Sequence, residues 1–304
     1  MNWNNLARLI TFLIGITFLN AASLKPYILA TESGSGLGET VSAVKENLDR
    51  EGFTILGDYS PADDPARRII VVTHSELITA IQQAGGLTGF AAALRVACTQ
   101  ENGKIFVSYT NPEYIGNAYF QKQFPLVRTN ISVVSDKLRS ALKETGDPKF
   151  LPFGAKNGLS EKELSTYHYM FGMEYFEDVV ELNQFNSFES GKTVIESNLN
   201  TPSGEVSPVY SIEIPDRKIK LYGVGLSGES GEEYFLPIID VGTQKHTAFL
   251  PYEILLIDNK AVMLHGRYRI ALSFPDLTMM TFSKIMSTPG DIEDLMKNVV
   301  RNGD

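Results

Sequence analysis

Two stretches that lie far apart in this chain share one pattern of apolar runs and turn residues. "AAALRVACTQENGKIFVSYTNPEYIGNAYF" has an apolar run, the pair Asn102-Gly103, a second apolar run, and a proline before an amphipathic segment. "AFLPYEILLIDNKAVMLHGRYRIALSFPDLTMMTF" repeats this order around Asp258-Asn259. Both pairs tolerate positive φ and are typical of two-residue hairpin turns. The repeated pattern therefore predicts two hairpins at corresponding places in two similar halves.

Helical patterns surround both hairpins. "ETVSAVKENLD" and "KTVIESNLN" each place apolar residues on one helical face ahead of a hairpin. Each half ends with an apolar stripe at helical spacing, Ile131, Val134, Leu138 and Leu142 in the first and Ile292, Leu295, Met296 and Val299 in the second. The chain is thus predicted to be α+β, with two similar two-layer domains of antiparallel strands and hairpins related by internal duplication.

The middle of the two halves differs. In the first half, "SELITAIQQAGG" predicts a helix capped by Ser75 and ended by Gly85. In the second half, "VYSIEIP", "KIKLYGVGL" and "YFLPIIDVG" have the β-branched and aromatic content of three strands.

The N-terminal segment has the layout of a secretory signal. "MNWNNLARLITFLIGITFLNAAS" contains Arg8, an apolar stretch too short to span a bilayer, and then small residues. It predicts a signal peptide over residues 1–23 and a bacterial protein that is periplasmic or otherwise exported. The alternative is an uncleaved anchor, which would be the chain's one attachment to a membrane.

The remaining divisions follow from composition. A flexible linker is predicted over 24–35, the first repeat over 36–146, a second linker over 147–164, and the second repeat over 165–304. Cys98 is the only cysteine, so an exported chain would have no internal disulfide. Its position in "ALRVACT" favours a buried residue over a reactive thiol.

The order of elements in the first half resembles that of a known family. "GFTILGDY", "RIIVVTH", a helix and "LRVACTQENGKIFVSYTNP" resemble the bacterial domain of unknown function 302, over about residues 36 to 145. The second half resembles it mainly in its hairpin and final helices. The resemblance implies a compact α+β domain that self-associates, without an established reaction or catalytic residues. A tandem copy would form a pseudo-dimer within one chain.

A cationic row follows the second hairpin turn. His265, Arg267 and Arg269 occupy every second position, so on a strand they would line one face, with Tyr252 opposite His265. Such a row predicts a site for a small anionic ligand such as a carboxylate or sulfate. The alternative is that the arginines pair with acidic residues such as Asp240 or Glu253, or with the other half.

Other chemistries have less support. The net charge of −9 without a basic block argues against nucleic-acid binding. "YHYMFGMEYF" contains His168 and Met173, which would be the ligands if the chain handled haem or a metal; otherwise no cofactor is expected. Ser227 lacks the spacing of a nucleophile elbow, so a hydrolase ranks last.

The predicted function is an exported, non-enzymatic module that binds a small ligand or an envelope protein partner.

Overall fold

The computed structural model describes residues 23–201 and 204–302, and in these residues the protein is α+β, as predicted. The predicted signal peptide therefore lies outside the described residues except for Ser23. The first half contains β1 (Tyr27–Ser33), β2 (Thr54–Tyr59), β3 (Arg67–Thr73), β4 (Leu94–Glu101), β5 (Lys104–Thr110) and β6 (Asp147–Phe153). These strands form one antiparallel sheet in the order β2-β3-β4-β5-β1-β6.

Four helices cover this sheet: α1 (Leu37–Arg50), α2 (Ser75–Ala84), α3 (Pro112–Phe120) and α4 (Phe124–Leu142). The apolar stripe predicted for α4 is buried at all four positions, so this helix packs by one face. The predicted helix over "SELITAIQQA" is confirmed as α2, and Gly85 follows its end at φ 69°. Its N-terminal cap is His74, one residue before the predicted Ser75.

The second half repeats this arrangement of strands and helices. It contains α5 (Glu161–Leu164), β7 (Val180–Gln184), α6 (Phe188–Leu199), β8 (Val206–Glu213), β9 (Ile219–Leu226), α7 (Glu232–Ile239), β10 (Tyr252–Ile257), β11 (Lys260–Met263), α8 (Gly266–Ser273), α9 (Met279–Phe282) and α10 (Thr288–Val300). Its antiparallel sheet has the order β8-β9-β10-β11-β7. When the strands of each half are numbered along the chain, this order matches β2-β3-β4-β5-β1 of the first sheet.

Both predicted hairpins are present. β4 and β5 are joined by two residues, Asn102 and Gly103, which have φ of 50° and 76°. β10 and β11 are also joined by two residues, of which Asp258 has φ of 51°. A two-residue hairpin turn requires residues that accept positive φ. Because this requirement is local, the sequence alone predicts both turns.

Three predicted segments differ from the structure. Residues 24–35 contain β1, which lies between β5 and β6 in the sheet, and residues 147–164 contain β6, so neither segment is a plain linker. "YFLPIIDVG" was predicted as a strand, but its first six residues belong to α7, which ends at Ile239. The apolar residues of α7 are buried at helical spacing, at Phe235, Leu236 and Ile239. The division of the chain into domains otherwise stays a prediction.

The two halves contact each other reciprocally. The 3-10 turn Gly86–Ala91 packs on β9 and β10, while the corresponding turn Thr247–Phe249 packs on β3, β4 and β5. The outer strands β2 and β8 contact each other, and the buried apolar residues form one core through both halves. Contacts that run both ways between corresponding elements are those of a two-fold interface. Among the described residues, no helix is long and apolar enough to cross a membrane.

Candidate functional site

The cationic row predicted from the sequence does not lie on a strand. β11 ends at Met263 and α8 begins at Gly266, so His265 is the residue that caps the helix. Its Nδ1 accepts a hydrogen bond from the Arg267 amide at 3.3 Å. Residues two apart on a helix point about 200° apart, so Arg267 and Arg269 face different ways. The prediction that the row lines one face of a strand is therefore wrong.

Two members of the row share one carboxylate in a partly buried contact. The Glu174 Oε1 atom is 3.4 Å from His265 Nε2 and 3.3 Å from an Arg267 amino group. The Arg267 side chain is 43% exposed. Burial lowers the pKa of His265, although Glu174 opposes this shift. The contact of Glu174 with the partly exposed Arg267 is an ion pair of the kind that contributes little on average.

The third member of the row is buried in a charged cluster that joins the halves. Arg269 Nη1 donates to Glu253 Oε2 at 2.7 Å, and Arg95 from β4 pairs with Glu253 Oε1. The Tyr210 hydroxyl donates to the same Oε1 at 2.5 Å. Arg95, Glu253 and Arg269 are called the Arg–Glu–Arg cluster below. Of the alternatives for these arginines, pairing with Glu253 describes Arg269, and Arg95 of the first half shares the same carboxylate.

Tyr252, predicted to lie opposite His265, instead lies beside this cluster and contacts Arg269. The Arg269 guanidinium carbon is 4.7 Å from the centre of the Tyr252 ring, a cation–π contact. Arg269 Nη2 also donates to the carbonyls of Phe249 and Pro251, at 2.8 and 2.5 Å. The four predicted site residues thus separate into a partly exposed pair, His265 and Arg267, and a buried pair, Tyr252 and Arg269.

Within the cluster, the opposite charges of Glu253 and the arginines favour each other's ionised forms. Burial by itself raises the pKa of Glu253, but Arg95 and Arg269 lower it below its usual value. Burial by itself lowers the pKa of Arg95, but Glu253 raises it. Glu253 is therefore ionised near neutral pH. Because arginine side chains carry a positive charge in proteins, two positive charges face one negative charge.

Sequence reasoning missed Arg95 and Tyr210. Arg95 stands inside the apolar run "ALRVACT", where a charged residue is unusual because buried charges need partners. The sequence carries this signal, but Glu253, the partner of Arg95, lies in the other half. In the same strand, Cys98 is fully buried, and burial raises the pKa of its thiol to about 12. This supports the structural interpretation of Cys98 over the reactive one.

A groove of about 630 Å³ opens where the two halves meet. The first half contributes Lys25 and residues 152–155, and the second half contributes parts of 239–246 and 274–281. The polar groups along it include Thr243, Asp276 and Thr278. None of the four predicted site residues borders this groove within the part of the chain that the structure describes.

An aromatic wall backs the groove. The His246 ring lies 4.9 Å from Tyr27 and 4.6 Å from Phe274, centre to centre, and Phe153 packs edge-on against it at 5.9 Å. His246 Nδ1 is 3.1 Å from the Ser273 carbonyl oxygen, to which it donates when neutral. Burial lowers the pKa of His246, although Asp240 opposes this shift, so the ring is neutral at pH 7.

The haem or metal alternative gains no ligand set from these residues. The His168 ring packs on Tyr175 at 4.5 Å, whereas Met173 borders a small apolar crevice with Arg267 and Met279. Within 23–201 and 204–302, no group of three or more His, Cys, Asp or Glu side chains is placed to hold a metal ion. The alternative stays a hypothesis based on two residues.

Comparison with solved structures finds partial likenesses. No family model and no curated protein matches the chain. A solved structure described as "uncharacterized conserved protein DUF302 from Bacillus stearothermophilus" is similar to part of it, with 19% identity and a TM-score of 0.34. The match covers 38% of this chain and 94% of that chain. Its description names the family that the sequence resembles and assigns no activity.

Proposed function

We propose that this chain is an exported, non-catalytic binding protein of two tandem DUF302-like domains, which holds a small molecule in the groove between them. The groove is the observation that carries the proposal. Its volume of about 630 Å³ lies within the range of about 300–1,000 Å³ usual for ligand pockets. Because both halves line it, neither half alone would form the site.

The lining suggests the kind of ligand. Phe153, Phe274 and Leu277 offer apolar surface, while Lys25 and Thr278 offer hydrogen-bond donors. A small amphipathic molecule, with an apolar or aromatic body and hydroxyl, amide or acidic groups, fits this mixture. The neutral, stacked His246 ring serves in this proposal as part of the wall.

The tandem arrangement supports a duplicated origin. The five strands of the second sheet have the same order as five of the six strands of the first, and corresponding turns pack on the opposite half. We infer that one domain was copied and that the junction between the copies became the binding site. Export rests on the signal-peptide pattern, and it predicts a mature chain in the bacterial periplasm that begins at Ser23 or Leu24. N-terminal sequencing of the protein from fractionated cells tests this.

Co-purification tests the binding site. The protein is isolated from periplasmic extract, and native mass spectrometry measures any small molecule that stays bound. Thr281→Trp places a large ring in the groove, whereas Met280→Trp, on the same helix but 78% exposed and outside the groove, is the matched control. The molecule should be lost from Thr281→Trp and kept by Met280→Trp. Equal retention by both variants, or no bound molecule in the unmodified protein, would refute the proposal.

An interaction module for another envelope protein is the second candidate. Three apolar side chains are strongly exposed: Phe171 (101%), Met280 (78%) and Met286 (69%). The segment around Phe171 and the segment that contains both methionines meet at the crevice between Met173 and Met279. Exposed methionines and aromatics are typical of adaptable protein contacts. A photo-crosslinking residue at Met280 should then capture one partner in living cells, whereas the same residue at the exposed Leu126 should not. Equal capture at both positions would exclude a specific partner.

A further inference from the structure

A second, much smaller cavity lies inside the junction of the two halves. It has a volume of about 20 Å³ and is bordered by both arginines of the Arg–Glu–Arg cluster. Tyr27 and Thr110 from the first half and Phe249 from the second complete much of its wall, and each is at most 5% exposed. None of the residues that border it borders the groove, so the two sites are separate among the described residues.

The arginines at this cavity have unused hydrogen-bond donors. Arg95 and Arg269 are 3% and 4% exposed, yet the Nε–H group of each has no acceptor among the described residues. Their other donors are directed at Glu253 and at backbone carbonyls. A buried donor on a charged group is costly to leave unpaired, so an acceptor is expected beside these two nitrogens.

The charge of the cluster is also incomplete. Two guanidinium groups face one carboxylate, which leaves one positive charge in a buried place. The nearby carboxylate of Asp240 is engaged elsewhere, because it accepts from Arg67 at 2.6 Å. Glu232, the other buried carboxyl group of this region, accepts from the Tyr59 hydroxyl at 3.0 Å and from the Ala62 and Leu226 amides. An uncompensated buried charge is strongly unfavourable, so the missing negative charge points to a ligand.

We propose that this cavity binds one small monovalent anion of the size of chloride. The two Nε–H groups donate to it, and its charge balances the second arginine. The cavity exceeds the roughly 10–15 Å³ needed for one water-sized occupant and is too small for sulfate or a carboxylate ligand. Because Arg95 belongs to the first half and Arg269 to the second, the bound anion holds the halves together. The inference does not depend on a ligand in the groove.

Thermal unfolding in sodium chloride and in sodium gluconate at equal ionic strength tests the proposal. Gluconate is too large for the cavity, so Tm should rise with the logarithm of chloride concentration and stay level in gluconate. At a chloride concentration 100 times Kd, the unfolding equilibrium constant should be about 100-fold smaller than without chloride. Equal Tm in both salts at every concentration would overturn the proposal.

Two variants separate binding from general salt effects. Arg95→Met leaves Glu253 paired with Arg269 as a neutral pair, so the variant should fold and lose its response to chloride. Arg267→Met removes an exposed arginine outside the cavity and should keep the full response. A response that survives in Arg95→Met would overturn the proposal.

A crystal soaked in sodium bromide provides a measurement that does not depend on any variant. Anomalous scattering should place a bromide at hydrogen-bonding distance from the Nε atoms of Arg95 and Arg269. A cavity that holds only water under these conditions would contradict anion binding, whatever the variants do.

Discussion

Arg267 and Arg269 are two residues apart on α8, and their surroundings differ in almost every respect. The Arg267 side chain is 43% exposed and has Glu174 as its acidic neighbour. The Arg269 side chain is 5% exposed and donates to Glu253 and to two backbone carbonyls. A charge at the surface is solvated by water, whereas a buried charge depends on its protein partners. The acidic partners of the two arginines should therefore differ greatly in their contribution to stability.

Glu253→Gln tests this difference. It leaves Arg95 and Arg269 buried without their shared carboxylate, so the free energy of unfolding should fall by about 3–5 kcal/mol. Glu174→Gln, which removes the acidic partner of the partly exposed Arg267, is the matched control and should cost less than about 1 kcal/mol. Urea unfolding of both variants measures the difference. Similar losses in the two variants would mean that the cluster does not stabilise the junction.

Glu232 should make stability depend on pH. Burial raises the pKa of this carboxyl group to about 7, although the Ala62 and Leu226 amides and the Tyr59 hydroxyl oppose the shift. A raised pKa means that the folded protein binds the proton more tightly than the unfolded chain does. Stability from this group is therefore full below about pH 4.5 and is lost as the pH rises to about 7, in total about 3 kcal/mol.

Glu232→Gln checks this pH dependence. The amide cannot ionise, so the decline in the free energy of unfolding between pH 5 and pH 8 should become smaller in this variant. Glu233→Gln changes the exposed neighbour on the same helix and should leave the decline unchanged. The free energies come from urea unfolding at several pH values. A decline of equal size in Glu232→Gln would show that another group causes it.

At the scale of elements, the start of α8 was the hardest feature to predict. His265, Arg267 and Arg269 alternate with Leu264, Tyr268 and Ile270 almost as on a strand. The cap is a histidine, which is not among the preferred capping residues. His74 caps α2 in the same way, through Nδ1 and the Glu76 amide at 3.2 Å. A neutral imidazole can accept this bond, so histidine caps are chemically sound though hard to recognise.

Replacing His265 tests the importance of this cap. Asn111 caps α3 at the corresponding place of the first half, through the Glu113 amide at 3.1 Å. His265→Asn should therefore keep most of the stability, whereas His265→Ala should lose about 1 kcal/mol. Thermal and urea unfolding measure both. If the asparagine variant were as unstable as the alanine variant, the loss would come from the contact with Glu174 instead of the cap.

At the scale of the whole molecule, the halves meet as the two subunits of a dimer would, but with unlike charges at the centre. Arg95 is the second residue of β4, and Glu253 is the second residue of β10, the corresponding strand. In a dimer of identical chains, corresponding residues across the axis would carry the same charge. Within one chain they are free to differ, and here arginine faces glutamate.

Because the core is continuous, we expect the halves to unfold together. β2 and β8 touch where Gly57 meets the Val209 carbonyl, and a Cβ atom on Gly57 would overlap with that oxygen. Gly57→Ala should lower stability by about 1–3 kcal/mol while calorimetry still shows one transition. Gly38→Ala, at an open position in α1, should not lower it. Two separate transitions would show that the halves are independent.

The sequence by itself determined the features that depend on neighbours in the chain. Both two-residue turns follow from residues that accept positive φ, and the apolar stripes of α4 and α10 follow from helical periodicity. The α+β class followed from these patterns together.

Only the tertiary structure decided the rest. β1 is a strand because β5 and β6 flank it, and α7 is a helix because its apolar residues are buried in the core. Arg95, Glu253 and Arg269 form a charged cluster because three separate segments meet at one buried place. Hydrogen bonds and charge pairs between distant segments leave no periodic pattern in the sequence, and burial decides whether they form.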